Sequence, residues 1–207
     1  FRSSPKHVTL ASLYLAGLSG VAVATGHFFI GVWFFGLAAA ADGMDGYLAR
    51  KTRTGSRAGA FLDSFVDRVS EAAVFAGLAW YGDGGALTWV AFVAVISSIL
   101  VSYARARGES LGVLGDVGLM QRPERLILLV LTLILAPVAA LFLEPYAAVP
   151  TYHVAIVGVG LIAVLSTVTA FRRARWIYAR LQEVQAVGTA ADARAADAPE
   201  GDASSPG

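Results

Sequence analysis

The sequence predicts an all-α integral membrane protein: a bundle of six transmembrane helices with both termini in the cytoplasm. Of its 207 residues, 57% are hydrophobic and only 15% are charged, whereas about a quarter of a typical soluble domain is charged. Long apolar stretches alternate with short polar breaks, and several approach the roughly 20 residues that one membrane span needs. A soluble but unusually apolar helical bundle is the less favoured alternative.

Six apolar segments account for the predicted spans. They cover residues 8–25, 28–41, 59–81, 86–103, 126–143 and 152–171. Glycine, proline and aspartate separate several of them, as in the run at 82–85 and the stretch at 144–150, and these residues favour turns. The second segment is short, but we expect its helix to continue as far as Arg50.

Basic residues predict the orientation of the spans. Arginine and lysine lie before the first span, in the second-to-third and fourth-to-fifth connections, and after the sixth span, while the three other connections contain none. Because basic loops stay in the cytoplasm, this pattern predicts cytoplasmic termini and a multi-pass protein of the cell membrane. We expect residues 1–181 to form the membrane domain and 182–207 a disordered cytoplasmic tail.

Composition also limits the chemistry of any site. The chain has no cysteine, which excludes disulfide frameworks, cysteine-bound metals and cysteine nucleophiles. Its net charge of +1 gives no sign of a nucleic-acid partner, and we expect none.

Four carboxylates inside apolar sequence are the most informative feature of the chain. Asp42 and Asp45 are three residues apart and Asp63 and Asp67 are four apart, so each pair lies on one face of its helix. Carboxylates are costly near lipid and therefore indicate a function. If the two helices are antiparallel, all four acids lie at the same depth near the cytoplasmic face.

The donor atoms predict which metal would bind there. Four converging carboxylates repel each other unless they are protonated or neutralised by cations. Oxygen ligands without histidine or cysteine favour Mg²⁺ or Mn²⁺, and two such ions serve phosphoryl chemistry in many enzymes. Arg50, one helical turn beyond Gly46, could bind a phosphate.

Two other interpretations of the acids stay open. They could form a buried network of ion pairs with Arg50, Arg57 and Arg68. They could also relay protons or ions in a transporter. Their position near one membrane face, and the lack of a broken-helix pair or an inverted repeat in the sequence, favour the metal site over the transporter.

The spacing of the acids resembles a known signature. Residues 42–67 read D-x2-D-G-x2-A-R-x8-G-x3-D-x3-D, which is similar to the motif of the CDP-alcohol phosphotransferase family, and a general resemblance covers about residues 5–180. It implies an enzyme in which an alcohol hydroxyl displaces CMP from a CDP-activated lipid, with two metal ions and a homodimeric assembly.

The resemblance also implies roles for individual residues. Asp42, Asp45 and Asp63 would bind the metals, and Asp67 would contact the second metal and deprotonate the acceptor hydroxyl. A further set would hold the CDP-lipid, in the motif and in the approach to span one: Gly46, Arg50, Ser56, Ser4, Pro5, Lys6 and His7. Lys6 departs from the family's usual Asn or Asp.

Arginines at the cytoplasmic ends of the helices indicate which alcohol is the acceptor. Topology alone predicts them, but if they converge they form an anion pocket for a phosphorylated alcohol. The sequence at 102–109 and 118–126 resembles the phosphatidylinositol-phosphate synthase branch, including archaetidylinositol-phosphate synthases. That resemblance implies inositol 1-phosphate as acceptor, with its phosphate on Arg105, Arg125 and Arg173.

Other acceptor alcohols stay open, and three nearby residues are given structural roles. Glycerol 3-phosphate is the alternative phosphorylated alcohol, and serine or a soluble CDP-alcohol donor ranks lower. Arg107, Glu109 and Arg122 are predicted to be structural partners and not ligands of the acceptor phosphate.

Overall fold

The computed structural model describes the backbone of residues 5–52, 57–113 and 118–196, and side chains over residues 10–40, 57–113 and 118–186. Within the backbone ranges the chain forms six α-helices and no strand, which confirms the all-α prediction. They are α1 (Pro5–Ala24), α2 (Phe28–Thr52), α3 (Arg57–Tyr81), α4 (Ala86–Ser110), α5 (Arg122–Leu143) and α6 (His153–Ala196).

The helices pack as a bundle in which α3 lies between α1 and α4. Helix α6 packs along α4 and α5, and α2 contacts α1, α5 and α3. Small residues bring α1 and α3 together, because a Cβ on Gly77 would lie 2.3 Å from the carbonyl oxygen of Gly20. The buried core is aliphatic and aromatic and includes residues such as Phe75, Leu129 and Ile162.

The helices that the structure describes are apolar on their outer surface, as in a membrane protein. In that part of the chain, three are long and apolar enough to cross a membrane, over Ala86–Ser110, Arg122–Leu143 and His153–Ala186. Shorter apolar stretches run over Leu10–Ala24 and Phe28–Ala40. Large apolar side chains point outwards from the bundle, as lipid contact requires.

Helix α6 is longer than the sequence predicts. It continues past the expected end of span six to Ala196, so the first part of the segment predicted as a disordered tail is helical. Alanine, arginine, glutamine and glutamate after residue 171 are strong helix formers, and Arg180 pairs with Glu183 at 2.6 Å. The domain boundary at 181 stays a prediction, and residues 197–207 lie outside the described ranges.

The end of the bundle opposite the aspartate motif is closed by an aromatic cluster. The rings of Phe28, Tyr81 and Tyr152 lie 4.5 to 5.4 Å apart, and the Tyr81 hydroxyl donates to the carbonyl oxygen of Pro150 at 2.6 Å. This cluster ties the start of α2 and the end of α3 to the chain that leads into α6.

Glu144 links the end of α5 to the start of α6. Its carboxylate accepts a hydrogen bond from the backbone N–H of Thr151 and another from that of His153, and it contacts the His153 ring at 2.8 Å. Burial disfavours the charged carboxylate, but these hydrogen bonds outweigh it and hold the pKa of Glu144 below its usual value.

Candidate functional site

Helix α3 carries a column of three acids on one face. Asp63, Asp67 and Glu71 are each four residues apart, which places them on successive turns of the same side. Asp63 is exposed, Asp67 retains only 9% of its accessible surface, and Glu71 is buried. The column therefore runs from solvent into the core and crosses the boundary between them at Asp67.

The partner acids of the motif lie on α2. That helix runs from Phe28 to Thr52 and so includes Asp42, Asp45, Gly46 and Arg50, but their side chains lie outside the described residues. Whether the four aspartates converge thus stays a prediction. Among the side chains that are described, no group of three or more acids or histidines is arranged to hold a metal.

The predicted nucleotide contacts lie mainly outside the described part of the chain. Ser4 and Ser56 are outside it altogether. Pro5, Lys6 and His7 begin α1, and only their backbone is described. Their roles stay predictions from the resemblance.

Arg122 forms an ion pair with Asp67. It is the first residue of α5, and its Nη2 donates to the Asp67 carboxylate. Its Nε is buried and has no hydrogen-bond partner among the described residues. Arg122 was expected to be a structural partner, and its contact with the predicted catalytic acid places it directly at the candidate site.

Arg125 is buried against Glu71. Its Nε and Nη2 donate to the two carboxylate oxygens at 2.7 and 3.0 Å, and its Nη1 lies 3.4 Å from the carbonyl oxygen of Met120. The two side chains retain only 2% and 5% of their accessible surface. This is the parallel, two-bond arrangement in which arginine binds carboxylates most strongly.

The other two predicted acceptor arginines differ in their surroundings. Arg173 on α6 is buried and donates to the carbonyl oxygen of Val101 on α4 at 3.1 Å. Arg105, one turn further along α4, is exposed and pairs with Glu109 at 2.9 Å. The structure thus places Arg173 in the interior beside α4 and Arg105 at the surface, where Glu109 is the structural partner that was expected.

The start of α5 is held in place by α6. The backbone N–H of Met120 donates to the Thr169 hydroxyl at 3.2 Å, in a buried position. Gly118 has a φ of 136° and its backbone packs so closely on Thr169 that a Cβ would lie 2.2 Å from its methyl group. Pro123 lies in the first turn, where its missing N–H costs little. These contacts fix the positions from which Arg122 and Arg125 reach α3.

Sequence reasoning missed Glu71 as part of the site. The signal was present, because Glu71 continues the four-residue spacing of Asp63 and Asp67 by one more turn. It lies outside the motif, however, and an acid in the middle of a predicted span gave no indication of which arginine it would meet.

An apolar helical bundle with a column of acids that leads to one end, and arginines paired to that column, is an arrangement typical of membrane enzymes that act on phosphate groups. Residues 2–169 match the family model of the CDP-alcohol phosphatidyltransferases. The chain belongs to this family, which confirms the resemblance seen in the motif.

Curated relatives point to one branch of the family. The chain is 43% identical over 111 residues to the phosphatidylinositol phosphate synthase of Mycobacteroides abscessus, covering 50% of this chain and 49% of the relative. It is 36% identical over 159 residues to that of Mycobacterium tuberculosis, covering 71% and 64%. The chain therefore spans about half to two thirds of the length of these relatives.

Solved structures agree with the fold. The M. tuberculosis phosphatidylinositol phosphate synthase with CDP-DAG bound has a TM-score of 0.71 and 28% identity, covering 86% of this chain and 87% of that one. A structure of the same enzyme in complex with manganese and citrate has a TM-score of 0.71 and 29% identity, covering 84% and 82%.

Proposed function

We propose that this protein transfers a phosphatidyl-type group from a CDP-activated lipid to inositol 1-phosphate, releasing CMP in phospholipid biosynthesis. The observation that carries the proposal is the meeting of the signature helix α3 with two arginines from the start of α5, at Asp67 and Glu71. It brings Arg125, which the resemblance assigns to the acceptor phosphate, to the same face of α3 as Asp67, one of the acids assigned to the donor chemistry. The names of the similar enzymes support the choice of acceptor.

The donor set fits a hard divalent metal. Asp42, Asp45, Asp63 and Asp67 would hold two ions of Mg²⁺ or Mn²⁺, since carboxylate oxygens suit both, and a similar enzyme contains manganese. The metals would supply charge stabilisation on the phosphates of the CDP-lipid. The exposed Asp63 and the largely buried Asp67 leave a site open at one end.

The arginines would bind the acceptor phosphate. A guanidinium has five N–H donors, and Arg125 uses three of its own on Glu71 and Met120. The other two would reach a phosphate only through a rearrangement that opens this buried side chain to the site. The buried Nε of Arg122 adds a further donor beside Asp67. Arg105 and Arg173 would complete the pocket from α4 and α6.

Asp67 would take the proton of the attacking hydroxyl. A base must lie within hydrogen-bond reach of that proton, and an acceptor held through its phosphate by Arg122 would present its hydroxyl near the carboxylate that Arg122 contacts. Gly46, Arg50, Ser56, Ser4, Pro5, Lys6 and His7 would bind the CDP-lipid, a substrate that a similar enzyme holds as CDP-DAG.

The membrane arrangement is part of the proposal. All six helices would span the cell membrane, with both termini and the acid column at the cytoplasmic side where a water-soluble acceptor arrives. Helix α3 would cross with its acids turned to the interior of the bundle, because charged groups in a span face away from lipid. A homodimer is proposed from the family resemblance.

Release of CMP with different acceptors tests the proposal. Purified protein is given CDP-diacylglycerol and Mg²⁺ with inositol 1-phosphate, inositol, glycerol 3-phosphate or serine. We expect release with inositol 1-phosphate, its loss in Asp67→Asn, and a sharp reduction in Arg173→Ala.

A matched control is the neighbouring exposed arginine, in Arg172→Ala, which should keep its activity. Equal rates with unphosphorylated inositol would contradict the phosphate pocket. A preference for glycerol 3-phosphate would keep the family chemistry and overturn the acceptor.

A further inference from the structure

Two ion pairs join the first turn of α5 to α3, one turn of helix apart. Arg122 donates to Asp67, and Arg125, further along α5, donates to Glu71, further along α3. At about 1.5 Å per residue, the three-residue step on α5 rises by about 4.5 Å and the four-residue step on α3 by about 6 Å. The two spacings are close enough for both pairs to form together.

The inner pair is held more firmly than the outer pair. Glu71 and Arg125 are buried, with 5% and 2% of their side-chain surface accessible, and they are joined by two parallel bonds of 2.7 and 3.0 Å. The Arg122 side chain, by contrast, retains 42% of its accessible surface and reaches Asp67 through its Nη2. Two parallel bonds fix both distance and angle, so the inner pair sets the position from which Arg122 reaches across.

The first turn of α5 depends on such contacts with other helices. Gln121 at its N-cap makes no capping hydrogen bond with its side chain. Two arginines near the positive end of the helix dipole are unfavourable, and Glu124 is the one acid in that turn. The acids of α3 supply further negative charge, and the contact of Met120 with Thr169 holds the chain just before the helix. Removing the charge of Glu71 would therefore let this turn shift.

We propose that Glu71 is a positioning residue for acceptor binding. By holding Arg125 it fixes the first turn of α5, and it thereby places Arg122 beside Asp67. The Nε of Arg122 is buried and has no hydrogen-bond partner among the described residues, so it is available to the acceptor phosphate. The inference rests on the proposed function for the role of Arg122, and it takes Arg125 where the structure places it, on Glu71.

Steady-state kinetics of CMP release by the purified full chain tests the inference. The variants are Glu71→Gln, Arg122→Gln and the combination of both. In each single variant we expect the KM for the phosphorylated acceptor to rise about tenfold, the typical worth of one hydrogen bond to a charged group, while the KM for CDP-diacylglycerol stays unchanged. The combination should raise the acceptor KM no further than Arg122→Gln alone, because Glu71 acts through Arg122.

Two more variants separate positioning from stability. Glu183→Gln makes the same change in an exposed pair on α6, where Glu183 lies 2.6 Å from Arg180, and it should leave both KM values unaltered. Glu71→Asp keeps the charge and shortens the side chain, so it should fold even if Glu71→Gln does not, and it should raise the acceptor KM by a smaller factor. Unfolding in sodium dodecyl sulfate measures the stability of each variant separately.

Either of two results would overturn the inference. If both Glu71 variants lose kcat or stability and keep the acceptor KM, the buried pair only stabilises the fold. If the combined variant raises the KM by the product of the two single effects, Glu71 acts independently of Arg122. The KM is measured with whichever phosphorylated alcohol the unaltered protein prefers, so a wrong acceptor in the proposed function is seen in that preference and does not decide this inference.

Discussion

Replacing Glu71 with alanine should destabilise the protein strongly, because the Arg125 guanidinium would be left charged and buried. The two side chains retain only 5% and 2% of their accessible surface, so water cannot take the place of the carboxylate. Removing one partner of such a pair typically costs about 3–5 kcal/mol. With Glu71 absent, the only hydrogen bond left to the Arg125 guanidinium among the described residues is the one to the carbonyl oxygen of Met120, at 3.4 Å.

The loss of stability in Glu71→Ala comes from breaking the ion pair and not from removing one side chain as such. Replacing both side chains with apolar residues of similar volume, as in Glu71→Met with Arg125→Leu, removes the stranded charge. We therefore expect the double variant to be more stable than either single variant, because a buried ion pair can be exchanged for apolar packing at little cost. The change in unfolding free energy of the double variant, minus the sum of the changes in Glu71→Met and Arg125→Leu alone, gives the coupling energy of the two sites.

Unfolding by sodium dodecyl sulfate, followed by tryptophan fluorescence, measures these free energies in mixed micelles. The matched control is Glu109→Ala, which breaks the pair with Arg105 at a similar distance of 2.9 Å but with both side chains nearly half exposed. An exposed pair of this kind is worth less than about 1 kcal/mol. If Glu71→Ala costs no more than Glu109→Ala, the reasoning from burial is wrong.

Three further predictions test other parts of the fold. Gly77→Ala should cost about 1–3 kcal/mol through a clash with α1, whereas Gly17→Ala, with open space around it, should not lower the thermal midpoint. Thr169→Val should cost about 1–3 kcal/mol, because the buried N–H of Met120 loses its acceptor; the denaturant midpoint measures this. Because folding lowers the pKa of Glu144, its ionised carboxylate stabilises the protein at pH values above the ordinary glutamate pKa of about 4.3. This stabilisation is lost as the pH falls through the lowered pKa. Glu144→Gln should flatten that acid limb of the stability profile, and an unchanged limb would exclude Glu144 as its cause.

Much of the helical order could be predicted from the sequence, because apolar length and turn residues are local signals. The extension of α2 through the aspartate motif was expected to Arg50 and is seen to Thr52. The long continuation of α6 was not predicted, since low hydrophobicity was taken as disorder although its residues favour helix.

The pairing of the arginines could not be predicted in the same way. The sequence places Arg122 and Arg125 at the start of a helix, but their partners depend on how α5 is rotated about its axis against α3. That rotation is fixed by long-range contacts such as Met120 with Thr169. Spacing therefore predicts which residues share a face, and only tertiary packing determines that Arg125 meets Glu71.

The ion pair between Asp67 and Arg122 gives the site a built-in competitor for cations. Any ion that binds the Asp67 carboxylate must share it with a guanidinium or displace that group. The affinity for a divalent ion at the proposed site would then be a difference between two interactions, lower than the carboxylates alone would give. In exchange, the largely buried acid has a counter-charge without any metal, and an arginine displaced by a bound ion would be free to bind a phosphate.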